Sequence, residues 1–295
     1  MDFRGVLPPL STPFRQERVD LGALRDNVAR YAQTSLRGFV VLGSNGEAPF
    51  VDEDEAERII AAARAATPSD RLLVAGTGRE STYLTIDATR RAAAAGADAV
   101  LVRTPSFFKS AMTADAFVHH YVALADASPV PILLYNFPAL TGVNLPVAAV
   151  AELAKHPNVV GLKESGGDVA QLSDFVAHVP AHFAVLVGSG PHFYAGPTVG
   201  ATGGILALAA VVPELCVRVF TLVREQRLAE ALALQRHLVP LARAITARFG
   251  VPGLKVAVEL AGYVGGDPRS PLAPAPPEAR EVIRQQLLDL GVLHN

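Results

Sequence analysis

The 295-residue chain is 50% hydrophobic and only 18% charged, with mean hydropathy +0.29, which excludes a disordered or polyelectrolyte chain and allows one large α/β barrel or two smaller domains. Lys and Arg total 26 against 28 Asp and Glu, so at a net charge of −2 no long-range field draws the protein to nucleic acid or to an anionic membrane. The longest unbroken apolar run, 205–212, is far short of the roughly 20 residues a membrane span needs. No basic region followed by an apolar run opens the chain, so a cytoplasmic location is expected. The single cysteine, Cys216, rules out an internal disulfide and a Cys-based metal cluster; its apolar neighbours predict an inert core thiol.

In chain order, eight short apolar runs bounded by turn signals read as strands: 5–7, 38–42, 71–75, 99–102, 130–135, 159–163, 183–187 and 204–208. Apolar residues fill both phases of each run, as parallel strands covered by helices require. Helical periodicity fills the gaps at 20–34, 52–66, 81–95, 113–127, 146–155 and 168–178, and more weakly after Gly190 and Val212. Thr113 and Asp168 are expected N-caps. This alternation predicts a (β/α)8 TIM barrel over residues 1–223. The runner-up, a doubly wound open sheet, lacks a Gly-x-Gly-x-x-Gly turn after the first strand. Residues 224–295 form a helical extension expected to pack on the barrel, with helices at 225–249, 252–263 and 278–290, the last two separated by a proline-rich tether at 268–277.

In such barrels the C-terminal strand ends line the active site. The sixth strand ends in Lys163, one of four lysines against 22 arginines. Alternation aims Val159, Gly161 and Lys163 to one face, so with Val160 and Leu162 on the helices Lys163 points into the barrel mouth. Burial disfavours the charged form of an amine and favours the neutral nucleophile that forms a Schiff base with a ketone. The structural alternative is a lysine snorkelling to the rim or paired with Glu164. Tyr135 ends the fifth strand beside it, as a proton carrier or as a core tyrosine. Gly43-Ser44-Asn45-Gly46 joins the second strand to a helix and can turn its N–H groups toward an anion such as a carboxylate. Gly188-Ser189-Gly190 and Gly200–Gly204 flank the seventh and eighth strand positions, where many barrels bind phosphate, although close packing accounts for such glycines equally well. His119-His120 lies mid-helix with its rings facing different ways, a poor metal site. Glu47 and Glu164 as a glycosidase pair lack a tryptophan sugar platform.

Gly43-Ser44-Asn45-Gly46-Glu47, Tyr135-Asn136-Phe137-Pro138 and Gly161-Leu162-Lys163-Glu164-Ser165, in this order on three strand ends, resemble the dihydrodipicolinate synthase and N-acetylneuraminate lyase superfamily of pyruvate-dependent class I aldolases. Ala75–Thr82, His119-His120-Tyr121, Ser165–Asp168 and Arg248–Lys255 look most like the 4-hydroxy-2-oxoglutarate aldolase branch. The resemblance implies a cofactor-free, metal-independent lyase with Lys163 as the Schiff-base lysine. Tyr135 and Ser44 would relay protons, and the backbone of Ser44 and Asn45 would hold the pyruvyl carboxylate, with Gly46 in the same loop. Ser165, Leu140, Gly188, Ile205 and Phe107 would complete the substrate pocket, and the assembly would be a homotetramer, a dimer of dimers.

Two residues depart from the family pattern. Leu140 stands where dihydrodipicolinate synthases place an arginine for the aldehyde's carboxylate, which argues against lysine biosynthesis. Phe107 follows Thr104-Pro105 where members commonly supply a relay tyrosine to the neighbouring subunit; it has no proton to pass, so either water and Ser44 take over with slower turnover or the substrate differs and the relay is rearranged. The expected reaction is cleavage or formation of a 4-hydroxy-2-oxo acid, first 4-hydroxy-2-oxoglutarate to pyruvate and glyoxylate. The rivals are 4-hydroxy-tetrahydrodipicolinate synthase, a 2-keto-3-deoxy sugar acid aldolase or dehydratase, and a non-catalytic pyruvate-binding homologue.

Overall fold

Apolar residues in both phases of each short strand leave no face for water, and the chain meets this by closing a sheet and covering it with helices. The computed structural model describes residues 1–294. Its parallel strands are β1 (Gly5–Leu7), β2 (Gly38–Val41), β3 (Leu72–Gly76), β4 (Ala99–Arg103), β5 (Ile132–Asn136), β6 (Val159–Glu164), β7 (Ala184–Val187) and β8 (Gly203–Ile205). From β2 onward each pairs with the next, and β8 pairs with β1. The ring closes just after β1, where Val40 N–H donates to Pro8 O at 3.0 Å and Leu10 N–H to Val40 O at 2.8 Å. This is the expected (β/α)8 TIM barrel.

Helices α1 (Leu21–Tyr31), α2 (Glu53–Ala66), α3 (Thr82–Ala94), α4 (Ala114–Ala127), α5 (Val147–Leu153) and α6 (Val169–His178) follow the first six strands. Thr113 caps α4 through Ala116 N–H, and Asp168 caps α6 through Ala170 and Gln171 N–H. After β7 only short helical turns follow, and after β8 comes α7 (Pro213–Arg224). The chain continues as α8 (Leu228–Arg243), a π-helical turn (Ala244–Arg248), α9 (Gly250–Leu260) and α10 (Pro277–Asp289). Ala279, Ile283 and Leu287 of α10 belong to the same buried cluster as the barrel helices, so the C-terminal helices share the main core. No helix is long and apolar enough to cross a membrane among the described residues.

Two apolar layers show which way each strand residue points. Leu7, Val40, Val74, Leu101, Leu133, Leu186 and Ile205 fill the barrel interior, while Val6, Val41, Leu73, Val102, Leu134 and Val187 pack beneath the helices. In β6 the strict alternation expected from the sequence is corrected. Val159 packs outward and Val160 packs against the interior, because the pairing with β5 shifts: Val159 faces Ile132 but Gly161 already faces Leu133. One extra residue inverts the phase below it. Beyond the irregularity Leu162 packs outward, as expected, and Lys163 follows the inward phase.

A small antiparallel hairpin, Phe14–Arg15 with Arg18–Val19, precedes α1 and was not expected from the sequence. The proline-rich stretch is pinned rather than slack. Arg269 grips Glu55 through two hydrogen bonds of 2.6 and 2.7 Å, and its guanidinium lies 4.3 Å from the Phe14 ring centroid.

Candidate active site

Arg103, Tyr135 and Lys163 end adjacent strands in register, at the C-terminal mouth of the barrel. Lys163 is 4% exposed, and its Nζ sits 4.1 Å from the centroid of the Tyr135 ring. The amine makes no hydrogen bond or ion pair with any described residue, so the alternative pairing with Glu164 is absent. Glu164 points the other way and accepts from Asn136 Nδ2 at 2.7 Å and from Gly166 N–H. Burial pushes its carboxyl above the usual carboxylate range, and these hydrogen bonds only partly offset the shift.

The Tyr135 hydroxyl lies 3.2 Å from Ser44 Oγ. Ser44 and Asn45 open a 3₁₀ turn, Ser44–Gly46, whose first two N–H groups find no acceptor among the described residues; Gly46 N–H and Ala48 N–H both turn back to Gly43 O. Gly46 is further fixed by Thr12 Oγ1, which donates to its carbonyl at 2.7 Å. Left-handed backbone at Leu42 (φ 57°) and Glu47 (φ 56°) brackets the loop. Non-glycine residues hold that conformation only where their surroundings enforce it. At Glu47 the enforcement is visible: its buried carboxylate pairs with Lys255 Nζ at 2.7 Å and accepts from Arg269 N–H at 2.8 Å. Glu47 is therefore committed to a structural pair, which removes it as a glycosidase acid.

A cavity of about 680 Å³ opens above Tyr135 and is lined by Ser44, Arg79, Glu80, Arg103, Ser106 and Leu140 among others. Lys163 does not line it directly; its amine rests against the Tyr135 ring, which does. Ser165 Oγ is buried with no hydrogen-bond partner among the described residues, and a Cβ added at Gly188 would fall 1.8 Å from it, so glycine is needed there for the serine to lie against the β7 end. Ile205 is fully buried in the barrel interior. Leu140 is 65% exposed on the cavity rim, while Phe107, 77% exposed, is not part of this chain's own cavity wall.

Arg79, Glu80 and Arg103 are cavity residues the strand-end reading passed over. Arg103 was legible in principle, because it ends β4 in the same phase as the inward Leu101. Among the described residues no group of three His, Cys, Asp or Glu side chains could hold a metal. His120 bonds through Nδ1 to Thr82 Oγ1 at 2.9 Å, and Cys216 is fully buried, which pushes its thiol well up.

The family model described as the dihydrodipicolinate synthetase family matches residues 2–289. The chain belongs to this family. It is thereby an enzyme of the class I aldolase type, a carbon–carbon lyase. The chain is 36% identical over 283 residues to a probable mitochondrial 4-hydroxy-2-oxoglutarate aldolase of Emericella nidulans, covering 93% of this chain and 91% of that one. It is 33% identical over 273 residues to a 4-hydroxy-tetrahydrodipicolinate synthase of an Exiguobacterium species, covering 92% of each. Among solved structures, a prophage protein of the dihydrodipicolinic acid synthase family from E. coli K12, in complex with pyruvate, superposes with a TM-score of 0.91 at 26% identity over 99% of both chains. The dihydrodipicolinate synthetase barrel thus accounts for the strand ends on which Lys163, Tyr135 and Ser44 meet.

Proposed function

We propose that this family member is a Schiff-base aldolase acting on a 4-hydroxy-2-oxo acid, with 4-hydroxy-2-oxoglutarate as the first candidate and pyruvate and glyoxylate as its products. The observation that carries the reading is the contact set Ser44–Tyr135–Lys163: a buried amine with no hydrogen-bond or ion-pair partner among the described residues, against a tyrosine whose hydroxyl reaches a serine. The Lys163 amine adds to the C2 ketone, and loss of water from the carbinolamine leaves the protonated imine. Loss of the C4 hydroxyl proton breaks the C3–C4 bond, releasing the aldehyde, and the bonding pair passes through C3 into the imine to give the enamine. Protonation at C3 and hydrolysis by water then free pyruvate and the amine. Tyr135, backed by Ser44, carries the protons in both directions. The two N–H groups at Ser44 and Asn45 without an acceptor among the described residues suit the pyruvyl carboxylate; Ser165, Gly188 and Ile205 lie outside the cavity lining and are assigned to the buried side of the bound acid.

Leu140 favours this reading over a 4-hydroxy-tetrahydrodipicolinate synthase, since the arginine that the synthase pattern places at this position is absent and any distal carboxylate must be held by another residue. Purified protein assayed with 4-hydroxy-2-oxoglutarate, and separately with pyruvate plus aspartate semialdehyde, tests it. The first activity should exceed the second; the reverse order overturns the substrate assignment.

The same reading includes a homotetramer. Tyr83, Phe107 and Phe108 are 79%, 77% and 71% exposed, and Leu84 and Ser106 beside them line the cavity. Large exposed aromatics at a cavity edge are suited to burial against a second copy. Phe107 then caps a neighbouring site without carrying a proton.

A further inference from the structure

If Leu140 does not hold the far end of the substrate, a second group in the cavity must bind it or that end is uncharged. The cavity wall carries two arginines. Arg79 is spent on Glu53, with Nε and Nη2 bonded to its two carboxylate oxygens at 2.7 and 2.9 Å. Arg103 is not: Nη1 donates to Glu80 Oε1 at 2.7 Å and to Thr104 O at 3.2 Å, while Nε and Nη2 have no acceptor among the described residues. Its position is built. The stem crosses Gly78, where an added Cβ would meet Arg103 Cγ at 2.6 Å and its backbone N at 2.7 Å, so only glycine leaves room.

Glu80 serves as its anchor and does not compete for it. Glu80 Oε2 accepts from Ser106 and Phe107 N–H, both at 2.8 Å, and Oε1 takes Arg103. Burial pushes this carboxyl up, but the two backbone N–H groups and the guanidinium outweigh it and hold it below the usual carboxylate range. The carboxylate therefore stays charged near neutral pH and fixes the guanidinium plane.

We propose that Arg103 is the specificity-determining cation of this site and binds the distal carboxylate of a 4-hydroxy-2-oxo diacid, the role that Leu140 cannot fill. The assignment rests on the aldolase reading above. Arg103 ends the strand next to Tyr135 and two strands from Lys163, roughly 10 Å between Cα atoms at the usual interstrand spacing. With C2 of a five-carbon acid on Lys163, its C5 carboxylate lies three bonds further along the chain, within reach of a long guanidinium side chain from that distance.

The test compares 4-hydroxy-2-oxoglutarate with 4-hydroxy-2-oxopentanoate, which replaces the distal carboxylate by a methyl group, in the wild type, Arg103→Leu and Arg103→Lys. In Arg103→Leu, kcat/KM for the diacid should fall about ten- to a hundred-fold, with the monoacid nearly unchanged. Arg103→Lys should lie between, keeping the charge without the fork. An equal fall for both substrates, or a wild type without preference for the diacid, overturns the proposal. A second measurement needs no variant: 2-oxoglutarate should protect the wild type against labelling by pyruvate and borohydride at about ten-fold lower concentration than 2-oxopentanoate. Equal protection overturns the role of Arg103 and leaves the Schiff base standing. A wild type that pyruvate and borohydride do not label overturns the Schiff base itself, and this proposal with it.

Discussion

Tyr135 touches both ends of the proposed relay, the Lys163 amine through its ring and Ser44 through its hydroxyl. Tyr135→Phe keeps the ring and removes only the proton, so kcat should fall by about 10²–10⁴ while pyruvate still labels Lys163 slowly. Steady-state kinetics beside the mass of the borohydride adduct checks this; an unchanged kcat would remove Tyr135 from the chemistry. His120 is a residue-scale case of a different kind. Burial lowers its pKa from 6.5 to about 4, with Glu80 pulling weakly in the opposite direction. The unfolded chain therefore takes up a proton between pH 6.5 and about 4 that the folded chain refuses, and stability should decline as pH falls through that window, by roughly 3 kcal/mol in all. Denaturant melts at pH 7 and pH 4.5 measure the decline, and His120→Gln should flatten it. Lys163, Tyr135 and Ser44 were legible in the sequence because each follows an apolar strand whose phase is simple near its end. Arg103 was equally in phase but stands before Thr104-Pro105 as an ordinary charge at a strand exit.

At the scale of elements, the Ser44 loop is held from a distance. Lys255 of α9 is fully enclosed, donates to Thr12 O at 2.9 Å and Asp267 O at 2.6 Å, and meets Glu47 at 2.7 Å. Burial pushes this amine down, and the Glu47 carboxylate only partly restores it. Removing one partner leaves the other buried and uncompensated, so Glu47→Gln and Lys255→Met should each cost about 3–5 kcal/mol. The double variant should cost clearly less than their sum, read by denaturant unfolding; strict additivity would mean the pair is not coupled. The eight strands could be read in advance because buried parallel strands are runs of apolar residues between turns. The hairpin at Phe14–Val19 could not, since each of its strands is only two residues long, one apolar and one charged, too short to show a period. Nor could the pairing shift in β6, because Val159 and Val160 are equally apolar and only the partner strand decides which one turns inward.

The whole molecule combines a closed barrel with C-terminal helices that reach back over 200 residues to brace its second loop, a link no local pattern encodes. The exposed aromatic set beside the cavity belongs to this scale too. Phe107→Ser/Phe108→Ser should lower the assembly from tetramer toward smaller species by light scattering and weaken turnover without blocking Schiff-base formation. A wild type that is monomeric at assay concentration would contradict the assembly reading. The central claim is covalent chemistry at Lys163, and the most direct measurement is the intact mass of the protein after incubation with pyruvate and borohydride, run beside Lys163→Ala. One stable pyruvyl adduct per chain is expected in the wild type and none in the variant. No adduct in the wild type, or an equal adduct in both, would contradict it.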